Sequence, residues 1–118
     1  MNSKKPSKTS RVFLLKIVNF HYICRMIERI FSITTQEQFQ SVAMDVFRFQ
    51  AEHCAVYAQY LRLIGVEPDS VTRIEDIPML PIELFKSHDI YSAATPPQVV
   101  FTSSATTGMS VSRHMVAD

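Results

Sequence analysis

Tryptophan is absent from this 118-residue chain, and cysteine and glycine occur twice each. Cys24 and Cys54 stand at no metal-ligand or redox spacing, and His21, His53, His88 and His114 are too scattered to complete a zinc site. A structural zinc site needs about four such ligands at close spacing, so no metal held by these residues is expected. Both cysteines are read as reduced, buried thiols of a cytoplasmic protein. With so little glycine, Gly65 and Gly108 each mark a special backbone position. A long uncharged apolar run is also missing. Residues 11–31 are rich in apolar side chains but contain Lys16, Arg25, Glu28 and Arg29, whereas a spanning helix needs about 20 mostly uncharged residues. No small-residue cleavage site follows, so a signal peptide is not expected either.

Net charge is small, at +1, but uneven: residues 1–30 carry +6 and the remainder −5. A basic arm of this kind can touch nucleic acid or anionic lipid. The reading adopted is a solvated start, with no nucleic-acid partner. Hydrophobic residues make up 47 % of the chain, within the globular range, so disorder throughout is excluded. The length suits one domain or part of one, and no internal repeat is present.

Residues 1–10 are polar, and residues 12–30 read as an amphipathic helix or as an upstream extension outside the natural domain. Ser32–Thr35 is a break. Thr34 and Glu37 then have the spacing of a capping box. Beyond them apolar or aromatic residues recur every three or four positions at Phe39, Val42, Val46, Phe49, Val56, Tyr60 and Ile64, with His53 in the one gap. A second row, Ala43, Phe47, Cys54, Tyr57 and Leu61, widens the stripe. One helix from near Thr35 to Gly65 is predicted, with Val42, Val46, Phe49, Tyr60 and Leu61 buried and Gly65 as its left-handed stop. His53 is read as a hydrogen-bonded core or interface residue.

Residues 66–76 read as a loop with a short helical turn. In Ile77-Pro78-Met79-Leu80-Pro81 the two prolines push the residues before them out of the helical region, so this stretch is extended. Pro81 then opens a short helix over Ile82–Ser87. Ile90–Tyr91 is predicted as a short strand, Gln98–Thr102 as a buried strand and Val111–Val116 as another.

Chemistry concentrates in Phe101–Gly108, where five of eight residues carry hydroxyls. A short loop of Ser, Thr and Gly after a strand can turn several N–H and O–H donors toward one point. That suits a polyphosphate, which offers many acceptor oxygens and negative charge. Gly108 lets the backbone approach, and Arg113 can add charge-assisted bonds. On chemistry alone, a solvated turn remains the competing reading.

Thr102–Gly108 resembles the S-S-G-T-T-G phosphate loop of the adenylate-forming superfamily. Ile77–Lys86 resembles the I-P-x-L-P-I-x-x-F-K segment of its acyl-protein synthetase branch, the long-chain fatty acid–luciferin component ligases. Ser112-Arg113-His114 is similar to the S-R-H of that branch, and Phe47-Arg48-Phe49-Gln50 with Tyr57 resembles its preceding helix. The likeness spans residues 36–118 and leaves residues 1–35 as a basic extension.

The resemblance implies an α/β fold: the amino-terminal part of an adenylate-forming ligase's large domain, with a helical start, short strands and a Ser/Thr-rich phosphate loop. It implies activation of a fatty carboxylic acid with ATP and Mg2+ as an acyl-adenylate, then transfer to an enzyme thiol and on to an acyl-accepting partner protein. Ser103, Ser104, Thr106, Thr107 and Gly108 would hold the β- and γ-phosphates, with Arg113 as an accessory contact. Lys86 is read as a surface or structural lysine. Ala105 stands where the family usually has glycine. The family's adenine pocket, ribose-binding acid, carboxy-terminal lysine and acyl-accepting cysteine come later than these motifs, so no catalytic residue is assigned here. The chain is expected to be a truncated portion of the enzyme and inactive alone. The alternatives are a non-catalytic remnant that keeps the phosphate loop and a small membrane-surface protein.

Overall fold

Two threonines precede the first long helix, and the second one caps it. In the computed structural model, which describes residues 21–22, 24–104 and 110–117, helix α1 spans Gln36–His53 with Thr35 as its N-cap. The Gln38 N–H donates to the Thr35 hydroxyl at 3.2 Å, and the Thr35 N–H donates to the Gln38 side-chain oxygen at 3.2 Å. This is a full capping box, one residue later than the Thr34–Glu37 pair expected. Both pairs satisfy the same sequence rule, and the Gln38 amide decides between them by also accepting from the Thr34 N–H at 2.8 Å. Glu37 is left in the exposed first turn, where backbone N–H donation and then the Thr35 hydroxyl hold its carboxyl below the usual range.

The single helix expected to Gly65 is two helices. Cys54 is extended (φ −96°, ψ 103°), and helix α2 runs Ala55–Leu63. The break is one residue long, because Cys54 N–H still donates to Gln50 and its carbonyl still accepts from Ala58, both at 2.9 Å. Periodicity could not register it: residues 36–64 contain neither proline nor glycine, and the apolar spacing continues through the break. Just before it, a His53 ring nitrogen lies 3.0 Å from the Phe49 carbonyl and the imidazole stacks on the Phe49 ring. A side chain turned back onto the ladder in this way competes with helical bonds. The hydrogen-bonded reading of His53 therefore stands.

Gly65 ends α2 as expected, with φ +72°. Val66 N–H donates to the Leu61 carbonyl and Gly65 N–H to that of Arg62, the two bonds of a Schellman motif.

The core forms where the second apolar row meets the chain that follows. Phe47, Cys54, Tyr57, Leu61 and Val71 are buried together, and Ile77, Leu80 and Ile90 pack against them. Of the five residues expected inside, Val42, Phe49 and Leu61 are buried, while Val46 and Tyr60 are half-buried. Cys54 is buried but Cys24 is only half-buried; both are free thiols. Residues 21–22 and 24–31 are helical and meet α1 through a Tyr22–Phe49 ring stack and an Arg29–Asp45 ion pair.

Residues 66–76 hold two 3-10 turns, Pro68–Ser70 and Ile74–Asp76. Residues 78–81 lack regular structure, and helix α3 is Leu84–Ser87, preceded by a turn at 82–83. Ile90 and Tyr91 form no strand, since Ile90 turns into the helical core instead of pairing. Strands β1 (Val99–Thr102) and β2 (Arg113–Val116) pair antiparallel, with Val99 opposite Val116 and Thr102 opposite Arg113. β1 is not buried as expected; Phe101 is 60 % exposed. Its apolar side chains provide a strand-forming run without a covering layer among the described residues. The molecule thus mixes helices with a small two-stranded sheet. Among the described residues, no helix is long and apolar enough to cross a membrane.

Candidate functional site

The hydroxyl-rich segment leaves β1 and returns through β2, so strand pairing fixes both of its ends. Past the last strand pair, Ser103 N–H donates to the Ser112 carbonyl at 3.1 Å. Ser112 N–H donates to the Ser103 hydroxyl at 3.0 Å. Ser112 is buried, so its N–H needs that acceptor. The Ser103 hydroxyl thus ties the loop base while keeping its own proton to donate elsewhere. Ser104 is exposed at the loop's entry. Thr106, Thr107 and Gly108, and with them Ala105, lie outside the described residues.

Arg113, the first residue of β2, is ion-paired to Asp89 at 3.0 Å. Both side chains are about half exposed, and a pair of this kind contributes only about 0–1 kcal/mol. It still settles where the guanidinium rests. Next to it, the His114 ring stacks on Phe85 of α3, with centroids 5.2 Å apart. The sequence alone separates these stretches: Ile77–Lys86 reads as architecture and Arg113 as an accessory contact. The structure brings them together, and it adds Asp89, which the sequence reading missed. A carboxylate three residues past Lys86 carries no motif, so only its position across from β2 reveals it.

On the helix side, the Tyr57 hydroxyl donates to the Pro78 carbonyl at 2.6 Å. This bond ties the extended proline segment to α2. Burial, and then the neighbouring Tyr60, pushes the Tyr57 phenol above its ordinary value. Lys86 is exposed, as expected for a surface lysine. Among the described residues, no group of three or more His, Cys, Asp or Glu could hold a metal ion.

Chemically, the loop base presents the Ser103 and Ser104 hydroxyls and, beside them, the Arg113 guanidinium. These are donors, and they fit an anion with several acceptor oxygens. The arginine fork has five N–H donors, so the Asp89 pair leaves others of Arg113 unspent.

Residues 30–117 match the family model described as acyl-protein synthetase, LuxE. Over 71 residues the chain is 34 % identical to a long-chain-fatty-acid–luciferin-component ligase of Photorhabdus luminescens, a match covering 59 % of this chain and 60 % of that protein. No solved structure matches.

Proposed function

The chain belongs to the LuxE acyl-protein synthetase family, and on that premise we propose that it forms part of an ATP-dependent acyl ligase and acyltransferase. The enzyme activates a long-chain fatty acid with ATP and passes the acyl group to a protein thiol, in the cytoplasm. The observation that supports this most is the reach of the family match. It takes in α1, the proline segment and the hydroxyl-rich loop as one ordered set.

In this reading Ser104, Thr106 and Thr107 donate to the β- and γ-phosphate oxygens, and Gly108 allows the backbone to come close. Ser103 closes the loop base through Ser112 and offers its remaining proton. Arg113 neutralises phosphate charge from the first position of β2 while held by Asp89. Magnesium bound with the nucleotide would supply charge screening for the phosphates. An acyl-accepting partner protein completes the transfer.

The test is calorimetric titration of the purified chain with MgATP and with inorganic tripolyphosphate. Saturable binding is expected, weakened about tenfold by Arg113→Ala, as loss of a charge-assisted bond predicts. Binding that is absent, or indifferent to Arg113→Ala and Ser104→Ala, refutes the phosphate reading of the loop.

A further inference from the structure

We propose that the apolar groove between α1, α2 and the proline segment is an acyl-chain site, which holds the hydrocarbon tail of a fatty acid. This inference rests on the reading of the protein as a fatty-acid ligase.

The groove has a volume of about 390 Å³, within the usual range for small-molecule sites. Its walls come from separate elements: Val46 and Phe47 of α1, Tyr57 of α2, Leu80 of the proline segment, Phe85 of α3 and Ile90 beyond it. None of its twelve lining residues is charged. The Tyr57 hydroxyl is already committed to the Pro78 carbonyl. Gln50 is therefore the main polar side chain along an otherwise apolar trough. Such a lining favours a hydrocarbon, and it disfavours a nucleotide or an acidic peptide, whose charges would lose water without finding partners.

The position of the groove gives the tail a direction. Phe85 lines the groove, and its ring also stacks on His114 of β2, next to Arg113. Through Phe85 the wall of the groove thus touches the strand that leaves the hydroxyl-rich loop. A tail lying in the groove sends its carboxyl end toward Phe85, the side on which the phosphates are proposed to sit. The one-residue break at Cys54 contributes to the same wall. It interrupts the helix where the groove runs past Gln50, Cys54 and Tyr57.

The test uses the full chain and saturated fatty acids, from octanoic to tetradecanoic, below their micellar concentrations. Affinity is expected to rise about fourfold per added methylene until the groove is full, as burial of each CH2 predicts. Ala43→Phe, which puts a ring into the groove, should weaken tetradecanoate binding at least about tenfold. Leu63→Ser, at an exposed apolar residue outside the groove, should leave it unchanged. A spin-labelled fatty acid maps the site without mutation and covers the case in which Ala43→Phe fails to fold. It should broaden the methyl resonances of Val46, Leu80 and Ile90 before that of Leu63.

Affinity independent of chain length, or broadening centred on Leu63 or the β1 valines, overturns the proposal. So does a self-association that Ala43→Phe abolishes, since a second copy would then be the occupant. The MgATP titration is read without fatty acid. Retained nucleotide binding with no tail binding therefore rejects the groove and leaves the phosphate reading of the loop intact; tail binding without nucleotide binding rejects the phosphate reading and leaves the groove.

Discussion

Replacing Tyr57 by Phe removes one oxygen and tests how the proline segment is held. The ring is kept, and with it the edge contact to Phe47 at a centroid distance of 6.1 Å. What is lost is the 2.6 Å hydrogen bond to the Pro78 carbonyl. A net intramolecular hydrogen bond contributes about 0.5–1.5 kcal/mol, and a stranded buried acceptor adds to the loss. Pro78 is half-buried, so water can reach part of its carbonyl, and about 1 kcal/mol is expected. With an m-value of about 1–2 kcal/mol/M in urea, the midpoint should fall by about 0.5–1 M with m unchanged. The pH dependence gives a second signature. The folded phenol is pushed above its ordinary value, so the unfolded phenol ionises first. The unfolded state then binds fewer protons, and wild-type stability falls as pH rises through about 10. Without the hydroxyl this component of the slope disappears, and the two stability curves converge in base. Equal midpoints at pH 7, or parallel curves above pH 10, would refute the claim that this bond clamps the segment.

Gly65→Ala should cost about 1 kcal/mol in urea unfolding. The cost is conformational, since φ is +72° while an added Cβ meets no atom within 4 Å; Gly65→Asn should cost less. Thr35→Ala should cost about 1 kcal/mol by removing the cap, and Thr35→Ser should restore most of it. Ser103→Ala strands the Ser112 N–H and should weaken MgATP binding, with Ser103→Thr recovering it; equal binding by the alanine form would make the loop-base tie irrelevant. The purified chain should give no ATP–pyrophosphate exchange with a fatty acid above an Arg113→Ala control, because phosphate contacts alone do not orient the reacting groups.

The helical half of the molecule was legible because its signals are local and redundant. Spacing at Val42, Phe49 and Leu61, together with Gly65, fixed a buried stripe and a stop. The break at Cys54 was not legible, because a one-residue deviation leaves apolar spacing intact. The cap was legible to within one residue, as Thr34 and Thr35 satisfy the same rule. The two strands were readable, since Val99–Thr102 and Arg113–Val116 fall within the stretches Gln98–Thr102 and Val111–Val116, but their pairing was not. Exposure of Phe101 was not, since burial depends on what lies across from it. At the candidate site the sequence supplied the donors but not their company. Asp89 beside Arg113 and Phe85 beside His114 are tertiary contacts between segments more than twenty residues apart.

The hairpin formed by β1 and β2 has a practical consequence for anyone handling the chain. Val99, Val100, Phe101 and Val116 are all more than a third exposed, and a two-stranded sheet is marginal by itself in water. Its free edges are templates for pairing with other chains, the usual route to aggregation. Colloidal behaviour should therefore depend on this hairpin more than on the helices. Light scattering on heating should rise from it first, and a lysine at Val100, midway along β1, should raise the concentration at which the protein stays monomeric.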